Sequence, residues 1–148
     1  MTSQLLVTLA LAVSNLFFNV KDYGAAGDGT TLDHEALNRA IVAASASGGG
    51  CVTVPAGTYL CGSIRLKSNV ELHLQAGARI VAAPASMKAY DESEPFDFPE
   101  YQDGGHTYFH NSLIWADGEQ NVSITGPGMI DGEGLTKRDT EQAGNVQG

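Results

Sequence analysis

The chain has 148 residues, enough for one domain with a true core. Its 17 acidic against 8 basic residues give a formal net charge of −9, which excludes a basic nucleic-acid footprint. Glycine numbers 18 and is spread along the chain, a pattern of many short elements with frequent turns rather than one flexible linker.

The chain opens on MTSQLLVTLALAVSN, in which Leu5 to Val13 is an apolar run of signal-peptide length. Small residues at Ala12 and Ser14 have the spacing of a cleavage site, but no positive charge precedes the run. It is too short to span a membrane as a helix. Residues 1–16 are read as a leader-like segment, which implies a secreted or periplasmic protein. A strand that caps the following domain is the other reading.

FFNVKDYGAAGDGTT (17–31) reads as a strand followed by a Gly/Asp turn. In LDHEALNRAIVAASASGGG, residues Ala36, Leu37, Ala40, Ile41 and Ala44 share one helical face. Thr31 or Asp33 can cap that helix, Glu35 suits its first turn, and Gly48 to Gly50 end it. The texture then changes. CVTVP, GTYLCGSIRL, NVELHLQAGARIVAA, SLIWADGEQ and NVSITGPGMIDGEG are short β-branched or alternating runs broken by Gly, Pro, Asn or Asp. Cys51 and Cys61 flank VTVPAGTYL. If those flanks form a hairpin, a disulfide is within reach in an oxidising compartment; two small buried thiols is the preferred reading.

Asn-Val begins segments at Asn69, Asn121 and Asn145. The last two lie 24 apart and the first two 52 apart, near two such periods. A period in the mid-twenties fits a parallel β-helix, in which a turn Asn bonds its equivalents in neighbouring coils. Residues 84–112 interrupt the repeat as an acidic, aromatic loop insertion of the kind that often carries function.

The motif order FNVKDYGAAGDGTT…ALNRAI…GGGCVTVPAGTYLCGSIRLKSNVELHLQAGARI, continued by NSLIWADGEQNVSITGPGMIDGEG, resembles the start of glycoside hydrolase family 28, the polygalacturonases and rhamnogalacturonases of the pectin-lyase-like superfamily. The resemblance implies a right-handed parallel β-helix over residues 17–148, with the N-terminal helix capping the open core. It also implies inverting hydrolysis of galacturonosyl linkages in a pectic polysaccharide, with carboxyls set apart to admit a water. The family carries that machinery in Asn-x-Asp, Asp-Asp, Gly-His-Gly and Arg-x-Lys motifs. None of the first three occurs here, and Arg65-Leu66-Lys67 matches the last only by letters, ahead of where the acids belong. The chain is therefore expected to be an N-terminal portion without catalytic residues, inert alone, with a sticky last coil, and a monomer at full length. No cofactor and no metal are expected. A polysaccharide lyase of the same fold and a non-enzymatic glycan-binding or tailspike module are the alternatives.

Candidate substrate-binding residues are His106, Tyr108, His110 and Asn111, beside Trp115. Aromatic faces suit sugar C–H groups, and His or Asn suits hydroxyls and carboxylates; the competing reading is a loop anchor on a core tryptophan. GGHTYFHNS has no helical pattern, which argues against a metal pair. Asp97, Glu100 and Asp103 are read as solvated loop acids and Asn121-Val122-Ser123 as a turn rather than a glycosylation site. Arg65 and Lys67, two apart, could meet uronate carboxylates. Asp131 and Glu133 would project to one side of an extended segment, too close for an inverting water, and are read as scaffold.

Overall fold

The computed structural model describes residues 16–93, 110–132 and 135. Strands β1 (Phe17–Asn19) and β2 (Asp28–Leu32) precede helix α1 (His34–Ala46). Then follow β3 (Gly50–Val54), β4 (Gly57–Cys61), β5 (Ile64–Arg65), β6 (Val70–Leu74), β7 (Ala78–Ala82), β8 (Ile114–Trp115), β9 (Ser123–Thr125) and β10 (Met129–Asp131). All pairings are parallel. The described strands form three sheets, in the orders β1-β3-β6-β9, β2-β4-β7-β10 and β5-β8. This is the stacked-coil arrangement of a parallel β-helix, and its structural neighbours are right-handed.

Alternation explains the strands. In β6, Val70, Leu72 and Leu74 point into the core while Glu71 and His73 point out. In β7, Ala78, Ile80 and Ala82 are buried and Arg79 is exposed. Inward residues stack in register from coil to coil: Val52 on Leu72 on Ile124, and Tyr59 on Ile80 on Ile130. The first two members of each column are fully buried, or nearly so.

The undisturbed coil is shorter than the repeat suggested. Val52 faces Leu72, 20 residues on, and Tyr59 faces Ile80, 21 residues on. Asn69 and Asn121 thus sit in adjacent coils, not two coils apart; the insertion supplies the extra length. The asparagine contact itself is present. Asn121 donates its amide to Oδ1 of Asn69 at 2.9 Å, and both residues take positive φ. Asn145 lies outside the described residues.

The capping helix buries the expected face, Ala36, Leu37, Ala40, Ile41 and Ala44, over the first coil. It also buries Asn38. Among the described residues, the β5-β8 sheet has no strand on the helix side of β5, where backbone groups would otherwise be buried unpaired. Asn38 supplies the missing bonds: its amide donates to the Ser63 carbonyl at 2.9 Å, and its Oδ1 accepts from the Arg65 N–H at 2.8 Å. Two turns on, Ser45 donates to the Ser68 carbonyl, just beyond β5.

Two local expectations are corrected. Asp33 occupies the N-cap position but makes no capping bond to the helix. Its buried carboxylate instead accepts the N–H groups of Ala26 (2.6 Å) and Gly27 (2.9 Å), closing the GAAGDG turn onto the helix start. The segment between the cysteines is not a hairpin. β3 and β4 belong to different sheets because the chain turns a corner of the coil at Pro55-Ala56. Cys61 is buried, Cys51 is half-buried, and both are free thiols. Burial of Cys61 pushes its thiol well above the usual range.

Candidate functional site

The outer face of the β5-β8 sheet gathers the polar and aromatic groups. Ile64 and Ile114 face the core, so Arg65 and Trp115, directly opposite each other across the sheet, face out. His110 lies over the indole, with ring centroids 4.0 Å apart and planes tilted by 33°. Its Nε2 is 3.6 Å from Oδ2 of Asp117.

Asp91 lies at the centre of this group. Its carboxylate accepts from Arg65 Nε at 2.8 Å, Arg65 Nη2 at 2.5 Å and Trp115 Nε1 at 2.9 Å. The first two are the parallel bonds of a guanidinium fork on a carboxylate. Hydrogen bonding by Arg65, with help from Trp115, holds the Asp91 carboxyl below the usual range. The same contact raises Arg65. Glu35, exposed on α1, stands 3.7 Å from the guanidinium as a second, looser anion. Nearby His34 is shifted down by burial.

Ser63 fixes both stems of the insertion to the scaffold. Fully buried, it donates to the carbonyls of Ser112 (2.8 Å) and, at longer range, His110 (3.3 Å), and accepts from the Asp91 N–H at 2.9 Å. A single hydroxyl thereby sets where Asp91 and His110 stand relative to the sheet.

Of the four candidate binding residues, His110 stands in this cluster with its ring half-buried on Trp115. Asn111, its neighbour, is buried at the base of the insertion. His106 and Tyr108 lie outside the described residues, as do Asp97, Glu100 and Asp103. Arg65 and Lys67 go separate ways. Lys67 leaves the strand and pairs with Glu119 at 2.9 Å. Asp131 pairs with Arg79 of the neighbouring coil, while Glu133 is outside the described residues. Among the described residues no three His, Cys, Asp or Glu side chains converge as metal ligands.

Sequence reasoning missed Asp91 and Ser63. Asp91 is one acid among several in an acidic loop, and only the fold shows which one meets Arg65. Ser63 carried a weak signal, a small polar residue inside the otherwise apolar run LCGSI.

Residues 17–148 match the family model described as rhamnogalacturonase A/epimerase, pectate lyase-like. The chain belongs to this family. The polygalacturonase and rhamnogalacturonase resemblance read from the sequence is borne out. The chain is 33% identical over 138 residues to an exo-poly-alpha-D-galacturonosidase of Dickeya chrysanthemi, covering 89% of this chain and 22% of the relative. It is similar in structure to a hyperthermoactive exopolygalacturonase from Thermotoga maritima, with a TM-score of 0.67 and 38% identity, over 80% of this chain and 25% of that one. A shorter stretch, 61 residues at 49% identity, matches a mannuronan C5-epimerase, AlgE3, of Azotobacter vinelandii, 36% of this chain and 3% of the relative. The chain thus spans about a fifth of the length of the galacturonosidase it matches.

Proposed function

We propose that this family member forms the capping end of a glycoside hydrolase that cleaves pectic polysaccharide, by inverting hydrolysis of galacturonosyl linkages. The similarity to the exo-poly-alpha-D-galacturonosidase across 89% of the chain carries the reading. The chain's part in it is scaffold and binding. Inverting hydrolysis needs a protonated acid opposite a base, with a water between them. Asp91, the carboxylate nearest the aromatic cluster, is held ionised by Arg65 and cannot serve as that acid near neutral pH. The polar-aromatic face of His110, Trp115 and Arg65 suits an acidic sugar chain, and His106 and Tyr108 precede His110 closely in the sequence. A pectic substrate fits secretion or a periplasmic location. It also fits a partner that is neither nucleic acid nor membrane.

The mannuronan C5-epimerase match favours a second reading, an epimerase- or lyase-type enzyme that works at C5 of a uronate. Both readings share a polyuronate ligand and differ in which one. Gel electrophoresis of the 148-residue chain through polygalacturonate, alginate or neutral dextran separates them. Retardation by polygalacturonate is expected, with no release of reducing ends from that polymer. Retardation by alginate alone transfers the case to the second reading. Passage through all three gels unretarded, or turnover of polygalacturonate by this chain, overturns its role as a non-catalytic polyuronate-binding end.

A further inference from the structure

The carboxylate of Asp91 occupies a position that its backbone does not require. Around it the main chain is held by other groups: the Asp91 N–H on Ser63 Oγ, the Ser63 N–H on the Ala89 carbonyl, and the Tyr90 hydroxyl on the Ala83 carbonyl at 2.6 Å. None of these bonds depends on the Asp91 carboxylate. What it would vacate is a planar anion site with three N–H donors, two from the Arg65 fork and one from Trp115. An indole face with an imidazole stacked on it adjoins that site. A guanidinium fork joined by an indole N–H is the recognition chemistry of the planar carboxylate of a uronic acid residue.

We propose that Arg65 and Trp115 form a subsite for the carboxylate of a uronosyl residue, and that Asp91 is its built-in occupant, displaced when the sugar chain binds. The inference deepens the polyuronate reading above and rests on it. A tethered occupant lowers apparent affinity by the fraction of time the site stands open. Removing its charge restores that fraction.

The experiment is titration of trigalacturonate into the wild-type chain and the Asp91→Asn and Arg65→Gln variants by calorimetry, with the fully methyl-esterified trimer as neutral control. Asp91→Asn is expected to tighten trigalacturonate binding by about tenfold, as for a site open one-tenth of the time. Arg65→Gln is expected to weaken it, and the ester is expected to be indifferent to both changes. A second readout needs no variant. Trp115 is the single tryptophan, so one indole N–H resonance reports the site. It is expected to shift saturably on adding trigalacturonate, as Asp91 gives way to the ligand. If wild type binds trigalacturonate but Asp91→Asn binds no tighter and the indole resonance stays put, the subsite is refuted while the polyuronate reading stands. If neither form binds, both fall together.

Discussion

At the scale of single residues, the polar groups that matter most are those replacing a missing neighbour. Asn38 sits on the apolar face of α1, where a helix pattern calls for another Leu or Ala. Its two bonds pair backbone groups of Ser63 and Arg65 that no described strand pairs on the helix side of β5. Asn38→Ala leaves a buried carbonyl and a buried N–H unpaired and is expected to cost about 1–3 kcal/mol for each, read as a lower midpoint in urea. Glu119 plays a comparable part between coils, accepting from the Ser68 N–H and hydroxyl and from Lys67. Those bonds, led by the Ser68 hydroxyl, lower its carboxyl from 4.5 to about 2. A depressed carboxylate stabilises the fold above its unfolded pKa, and that contribution fades as pH falls from about 4.5 toward 2. Thermal melts of Glu119→Gln between pH 5 and pH 2.5 are therefore expected to drop less steeply than those of wild type.

At the scale of elements, the strands were legible and their pairing was not. Alternation such as Val70, Leu72, Leu74 marks an extended segment with one buried face, whatever lies beside it. Nothing in CVTVPAGTYL distinguishes a hairpin from the corner of a coil, because both need a short turn at Pro55-Ala56; sheet membership decided for the corner. The glycines of GPGMIDGEG show the same division. Gly126 has φ +97°, and a Cβ there would stand 2.1 Å from the Leu74 carbonyl oxygen. Gly132 has open space around it. Gly126→Ala is expected to destabilise by on the order of 3 kcal/mol or more, and Gly132→Ala by less than about 0.5 kcal/mol. Paired chemical denaturation curves check the contrast, and equal effects would contradict the coil-to-coil contact. The insertion is the element least legible in sequence. Its stems are placed by Ser63, which contacts them at separations of 28 to 49 residues.

At the scale of the whole molecule, the stacked coils are capped on one side and, among the described strands, end on the other at β9 and β10. There Ile124 and Ile130 continue the buried columns of Leu72 and Ile80, yet remain 44% and 41% exposed. Met129 is 57% exposed beside them. Apolar side chains on open strand edges favour association. The 148-residue chain is expected to self-associate with rising concentration in light scattering, and Ile124→Lys is expected to reduce that. Concentration-independent mass in the unmutated chain would contradict the expectation.

Local periodicity by itself determined the capping helix, the inward and outward faces of the strands and the glycine-rich turns, because each follows from neighbours a few residues apart. The motif order added the family and the coil architecture. Only the tertiary structure decided the 20-to-21-residue coil, the adjacency of Asn69 and Asn121, and the meeting of Asp91 with Arg65 and Trp115. Those depend on how coils stack and where an insertion leaves and rejoins them. A stacking contact joins residues 20 to 52 positions apart, and no local pattern encodes which partner is found at that distance.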